Sequence, residues 1–376
     1  MQKSSNQKLR TLLALSLITG LGSKRIKLLV KAFDDPSSIF KRSKRELRSV
    51  ESIGEASSLS ILTFDKWDEV DHLIKETEKV KSQIITIADP EYPTLLKQIY
   101  DPPVLFWIKG NPDALSKQGV GVIGTRNATP YGKKMAEQLT KEMGEKGLCI
   151  FSGLAHGIDA ISHKAALDVA AFTVGVLGSG IDNFYPKENA DLANRIVKEG
   201  GAVITEFPLG TKPDAGNFPV RNRIVSGMSL GVLVVESGIK GGSMITADLA
   251  LDQNREVFAV PHALDNLYGT GCNYLIKTGA AKLVQTVDDI LEELPIEQEK
   301  KTSSTRKDPP KPKLWRNEEL DDLSKKVCEL LELGEVQIDA MRDDLEVNTS
   351  QLLVVLLQLE MKELVTQKVG KYFELR

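Results

Sequence analysis

Cysteine is scarce in this chain of 376 residues, and the three present, Cys149, Cys272 and Cys328, lie far apart. No close pair exists to chelate zinc, and an odd number cannot all pair internally, so a disulfide framework is excluded and a reducing compartment fits. Long apolar runs are also missing. The longest, residues 12–17 and 352–359, fall far short of the roughly 20 residues that span a bilayer. Residues 1–9 lack the charged-then-apolar order of an export signal, so a cytoplasmic protein with no membrane partner is expected. Gly-x-Gly-x-x-Gly is absent as a strand-to-helix fingerprint with an acidic residue after the next strand, so a dinucleotide cofactor is not indicated.

Net charge is small as well, at −3, but it conceals a gradient. Residues 1–48 carry 12 Lys/Arg against 3 Asp/Glu, whereas residues 316–376 carry 8 against 14, so the two ends suit different partners. A composition of 41% hydrophobic and 27% charged residues over this length implies a large core and two or three domains.

What is present is organised around Gly124-Thr125-Arg126, where an apolar run stops at a small-residue turn carrying one cation. Behind Thr129 and Pro130, Met135, Leu139 and Met143 recur at helical spacing, so the first-turn N–H groups of that helix are placed to meet a phosphate. Arg126 stands beside them as a bidentate phosphate ligand. Short β-rich runs then alternate with helical stretches: 121–124, 148–152, 173–177, 202–206, 232–236, 257–260 and 282–284. The fold class is α/β, a parallel sheet flanked by helices. Ahead of it, Asp101-Pro102-Pro103 introduces residues 104–108 as an edge strand.

Strand after strand ends in a phosphate-friendly turn: Gly124-Thr125-Arg126, Ser152-Gly153, Gly178-Ser179-Gly180 and Gly241-Gly242-Ser243. In an open parallel sheet such turns gather at the carboxyl ends of the strands, and four of them suit a polymer with several phosphates better than one nucleotide. Lys187 and Asn189 follow the third turn, with Phe184 and Tyr185 as planar faces for a base. In Phe218-Pro219-Val220-Arg221-Asn222-Arg223, two arginines flank an asparagine near a helix N-terminus, where cations are unfavourable unless an anion is present. Phosphate contact and ion pairs to Glu206 or Glu236 both satisfy that pattern. His156, Asp159 and His163 have helical spacing without a protease-type glutamate or a nearby cysteine, so neither a metal nor an acid–base site is read there. Asp182 and Glu206 lie near strand ends, where either acid–base work or loop support would suit them.

The chain divides into a helical segment at 1–82, a sheet core at 83–295, a polar proline-bearing linker at 296–317 and a final segment at 318–376. Residues 9–17, a Gly20-Leu21-Gly22 turn and a helix restarting at Ser23 form a helix-hairpin-helix pattern; Lys24, Arg25, Lys27 and Lys31 would supply counter-charge to DNA, and a small helical bundle explains the glycines equally. A degenerate copy sits at Ser52-Ile53-Gly54-Glu55. Three helices and a hairpin with Gly370 at its turn read as a winged helix, whose acidic balance argues against major-groove contact.

Five motifs in order, Gly124-Thr125-Arg126, Ser152-Gly153-x-Ala155-x-Gly157-Ile158-Asp159-x-x-x-His163, Gly180-Ile181-Asp182-x-x-Tyr185-Pro186-x-x-Asn189, Phe218-Pro219-x-Arg221-Asn222-Arg223-Ile224 and Gly242-Ser243-x-x-Thr246-Ala247, closely resemble the bacterial DNA-processing DprA (Smf) family. The resemblance implies a Rossmann-like core, an N-terminal helix-hairpin-helix (SAM-like) module and a C-terminal winged helix. It implies binding of single-stranded DNA, homodimerisation and loading of the recombinase RecA during natural transformation, with no catalysis, no cofactor and no metal. By motif match Arg126 and Lys187 become the principal phosphate ligands, with Thr125, Ser179, Gly180, Asn189, Asn222 and Ser243 in support. A surface including His262, Leu267 and Ile276 becomes the dimer and recombinase region. The competing reading is a nucleotide hydrolase of the lysine-decarboxylase-like type, but its Gly-Gly-x-Gly-Thr turn is incomplete here and Asp248 stands where a glutamate is needed.

Overall fold

The computed structural model describes residues 2–33, 35–295, 315, 320–332, 336–345, 347–362, 364–368 and 372–375. The linker expected at 296–317 lies, apart from Trp315, outside the described residues, as does Gly370. Two compact units result, Met1–Glu297 and Gln298–Arg376.

Nine strands make the sheet of the first unit: β1 (Gln83–Thr86), β2 (Leu105–Gly110), β3 (Gly119–Gly124), β4 (Cys149–Ser152), β5 (Thr173–Val176), β6 (Ala202–Thr205), β7 (Gly231–Glu236), β8 (Glu256–Ala259) and β9 (Lys282–Leu283). Their order is β1-β2-β6-β5-β4-β3-β7-β8-β9. From β6 to β9 all pairings are parallel, while β1–β2 and β2–β6 are antiparallel. β7 shows why these residues make a central strand. Val232 and Val234 point to one apolar layer and Leu233 and Val235 to the other, so a continuous β-branched and leucine run is buried on both faces.

Helices Asn217–Met228, Gly242–Asp252 and Thr270–Lys277 cover the first face through Ile224, Val225, Met244, Ala247 and Leu275. Helix Pro130–Glu145 covers the second through Ala136, Leu139 and Met143. After β3 the chain builds outward through β4, β5 and β6, then returns to place β7 on the other side of β3. The strand order therefore reverses between β3 and β7, the place where open α/β sheets leave a crevice at the strand carboxyl ends.

One expectation is corrected. β2 is an interior strand, fully buried over Leu105–Ile108, and β1 holds the edge. Pro102 and Pro103 precede the first ladder residue and so remove no donor from it; the carbonyl of Val104 accepts from Ile87 N–H at 2.8 Å.

The N-terminal helices belong to the same compact unit as the sheet. Leu12, Leu29 and Ile61 share a continuous apolar cluster with Phe106 and Trp107, and Trp107 Nε1 donates to Thr77 Oγ1 of helix Trp67–Lys79 at 2.9 Å. The hairpin turn between Gln2–Ser16 and Ser23–Ala32 is present, but Lys24 rests on Tyr100 and Arg25 donates to the Gly20 carbonyl, so both cations have protein partners.

The second unit contains helices Asp322–Leu331, Ile338–Leu345 and Thr349–Met361, with β10 (Val336–Gln337), β11 (Val365–Lys368) and β12 (Tyr372–Leu375) in the order β10-β12-β11. This is the expected winged helix, with one short strand, β10, that the sequence did not signal. No helix among the described residues is long and apolar enough to cross a membrane.

Because the first unit closes its own core, a chain truncated after Leu294 is expected to keep its helix and sheet circular dichroism and to melt cooperatively. A truncated chain without a cooperative transition would show that the second unit is needed for folding.

Candidate functional site

A cleft of about 720 Å³ opens at the β3/β7 reversal. Its floor comes from Gly124, Thr125 and Arg126 after β3, Gly153 and Ala155 after β4, and Ser237, Gly238 and Gly241-Gly242-Ser243 after β7. Phe218, Arg221 and Asn222 of helix Asn217–Met228 close one wall, with Tyr185 and Asp214 at the rim. Seven of the expected site residues are thus brought together: Gly124, Thr125, Arg126, Arg221, Asn222, Gly242 and Ser243.

The helix N-terminus expected to meet a phosphate is already filled. Glu236, the last residue of β7, is fully buried, and its carboxylate accepts from Thr129 N–H at 2.8 Å and Thr129 Oγ1 at 2.6 Å. It lies so close to the first turn of Pro130–Glu145 that a Cβ at Gly132 would come within 2.4 Å of Oε2. An internal carboxylate therefore satisfies the positive end of that helix. Helix Gly242–Asp252 is different: it has no side-chain cap and no acidic residue in its first turn, and that turn faces the cleft.

Arg126 is exposed and forms no ion pair among the described residues. Its guanidinium carbon lies 5.3 Å from the centroid of Phe218, whose ring is 5.8 Å from that of Tyr185. A free cation and two planar faces thus share one rim. In the sequence Phe218 stands at a helix start and in one of the five motifs, and nothing there marks its ring as a face of the cleft. Phe184, offered with Tyr185 as a stacking face, packs partly buried in an apolar cluster.

Arg221 and Arg223 are both engaged by the protein itself. Arg221 is buried and donates to the carbonyls of Gly153 and Val176; burial lowers its pKa to about 10, which leaves it charged near neutral pH. Asp159, also buried, accepts from Gly153 N–H at 3.1 Å and Ala155 N–H at 3.4 Å, so the β4 turn is held from both sides. Arg223 does not reach the cleft: it is bidentate on Glu206 at 2.6 and 2.8 Å, and its Nε donates to Asp101 at 3.0 Å. Burial alone would lower its pKa, but the Glu206 and Asp101 carboxylates together outweigh that and hold it above its ordinary value. Glu206 is thereby an ion-pair partner, and Asp182 supports a loop by accepting from Gly210 N–H.

The third turn is closed. Phe218 lies against Gly178, Ser179 Oγ donates to the Asn183 carbonyl and Gly180 N–H to that of Thr211, so none of the three lines the cleft. Lys187 is exposed on the Lys187–Asn189 turn beyond Tyr185, and Asn189 donates to the carbonyls of Leu154 and Ala155. His163 is buried with Nδ1 on Thr173 Oγ1, and burial lowers its pKa to about 3, so it is neutral at physiological pH; His156 is exposed. Among the described residues no group of three or more His, Cys, Asp or Glu side chains is arranged to hold a metal.

The family model for DNA recombination-mediator protein A matches residues 83–295, the whole sheet from β1 to β9. The chain belongs to that family. A DprA winged helix domain matches residues 308–371. DNA processing protein DprA of Bacillus subtilis is 48% identical over 212 residues, covering 56% of this chain and 71% of that protein. Protein Smf of Synechocystis is 37% identical over 272 residues, covering 71% and 68%. Among solved structures, DprA from Streptococcus pneumoniae is similar with a TM-score of 0.65 at 32% identity, over 76% of this chain and 96% of that one. A Helicobacter pylori DprA, described for its single-stranded DNA binding mode, gives a TM-score of 0.51 at 29% identity over 56% and 94%. The cleft of this DprA-family chain lies wholly inside the matched region.

The division between structural and free arginines has a direct consequence. Arg223→Ala leaves Glu206 buried and uncompensated and is expected to lower stability by about 3–5 kcal/mol. Arg126→Ala, at an exposed position, is expected to stay within about 0.5 kcal/mol of the parent. Denaturant titration of both variants checks this, and equal stabilities would contradict it.

Proposed function

We propose that this chain binds single-stranded DNA in the β3/β7 cleft, with Arg126 as the principal phosphate ligand and Lys187 as a second. The observation that carries the reading is the unpaired guanidinium of Arg126 over Phe218, beside the uncapped turn at Gly242 and Ser243. Phosphate would take the fork and the turn amides, while Phe218 and Tyr185 offer faces on which bases stack without regard to sequence. The Helicobacter pylori relative named for its single-stranded DNA binding supports it. Arg221 and Asp159 shape the cleft without needing to touch the strand.

In the role that follows, the protein protects incoming single strands in the cytoplasm and helps load the recombinase RecA in natural transformation and homologous recombination. Cys149, Cys272 and Cys328 are buried free thiols, which suits a reducing compartment. The hydrolase reading gains nothing from the geometry, since Asp248 is outside the cleft lining. Catalysis and a cofactor are not part of the proposal.

A strand-coating protein gains from presenting two linked sites, because the second engages the same strand at high effective concentration. We place the homodimer contact on Leu264, Leu267, Tyr268 and Tyr274, apolar side chains that are exposed together late in the sheet domain; Leu267 is 78% exposed. His262 is not on that surface: its ring is buried against Gly269, with Nε2 on the Val235 carbonyl.

Arg126→Ala is expected to weaken binding of oligo-dT about tenfold or more, the value of one charge-assisted contact, and Lys187→Ala by a smaller factor, both without sequence preference. Unchanged affinity in the double variant, measured by fluorescence anisotropy, would refute the assignment. For the dimer, Leu267→Arg sets like charges across a two-fold axis and is expected to give monomers by light scattering. A parent that is monomeric at micromolar concentration would remove the dimer.

A further inference from the structure

On the far side of Arg126 lies a second groove, of about 630 Å³, lined among others by Lys133, Lys164, Asn127, His156 and Asn189. We propose that the single strand crosses Arg126 and continues into this groove, where Lys133 and Lys164 hold the phosphates of the next nucleotides; the proposal rests on the cleft reading above.

Three observations carry it. Lys133 and Lys164 are both exposed, and neither forms an ion pair among the described residues. Lys133 stands in the first turn of Pro130–Glu145, where the helix dipole disfavours a cation, and the one carboxylate at that terminus, Glu236, is fully buried and bonded to Thr129. Finally, the two grooves share Arg126 and are rigidly joined beneath it. Gly157 has φ +74°, and a Cβ there would come within 2.3 Å of the Thr125 carbonyl oxygen and 2.5 Å of that of Arg126, while Ile158 N–H donates to Thr125 O at 3.2 Å. The two grooves thus meet at one closely packed turn.

The groove differs from the cleft in chemistry. The only ring lining it is that of His156, and no Phe, Tyr or Trp does, so it offers charge with little stacking surface. That suits the sugar-phosphate backbone of a polymer and not a second free nucleotide.

The test compares oligo-dT of about 5 and about 16 nucleotides, the span of common single-strand site sizes, on the full-length chain. Lys133→Gln/Lys164→Gln is expected to weaken the long oligonucleotide about tenfold and to make its log–log salt dependence shallower by about 1.4, two contacts at roughly 0.7 each, while the short one is unaffected. Arg126→Ala is expected to weaken both lengths. Parent-like affinity and slope for the long oligonucleotide in the double variant would overturn the second groove, as would equal losses at both lengths, which would assign the lysines to the cleft. Failure of Arg126→Ala to weaken either length would instead overturn the cleft reading, so the two failures are distinguishable. Both lysines are exposed, and a melting temperature matching the parent's confirms that the variant is folded.

Discussion

Glu236 ends β7 with a carboxylate that solvent does not reach, and that carboxylate ties the sheet to the helix that follows β3. It accepts both donors of Thr129, while its backbone carbonyl accepts Thr125 N–H at 2.7 Å, so one residue fixes the turn that presents Arg126 and the helix behind it. In many α/β proteins a ligand phosphate takes the first helix N-terminus at the switch point. Here the chain supplies its own anion, and a ligand phosphate is left the uncapped turn at Gly242 and the guanidinium of Arg126. A site with its central anion seat filled is poorly suited to grip one nucleotide diphosphate. The proposed ligand, a polymer whose phosphates are spread along a line, does not need that seat.

The walls rest on two further buried charges. Arg221 sits beneath the cleft and satisfies backbone carbonyls of β5 and of the β4 turn, with Asp159 holding the amides of that same turn. Arg223, two residues on, faces the other way into Glu206 and Asp101. Arg221 spends Nη1 on those carbonyls while its Nε has no partner, whereas Arg223 has all its nitrogens engaged by carboxylates and a backbone carbonyl. Cations that look alike in sequence thus differ in how far the protein itself engages them.

That division marks what the sequence could and could not disclose. The strands were legible because Val, Ile and Leu runs buried on both faces have no other stable home, and the place of Arg126 at the cleft was legible because it follows a strand end directly. The closed third turn was not legible: what covers Gly178 is Phe218, 40 residues later, and nothing local in Gly178-Ser179-Gly180 signals it. The same holds for Glu236, whose bonds to Thr129 span 107 residues of sequence. For Arg221 and Arg223 the ion-pair alternative was visible, but choosing between it and phosphate requires knowing where Glu206 and the Gly153 carbonyl lie. The interior position of β2 is not legible in sequence, because prolines just before a strand look the same as prolines that mark an edge.

The central claim is that an exposed cation and a narrow crevice at the β3/β7 reversal select unpaired strands. It is tested most directly by titrating the protein with an oligo-dT and with a duplex of the same length over a series of salt concentrations. The account predicts clear preference for the single strand and, for about four phosphates neutralised in one cleft, a log–log slope near −3 at roughly −0.7 per contact, steeper where the strand also enters the second groove. Equal affinity for the duplex across that series, or a single-strand affinity that does not fall with salt, would contradict it.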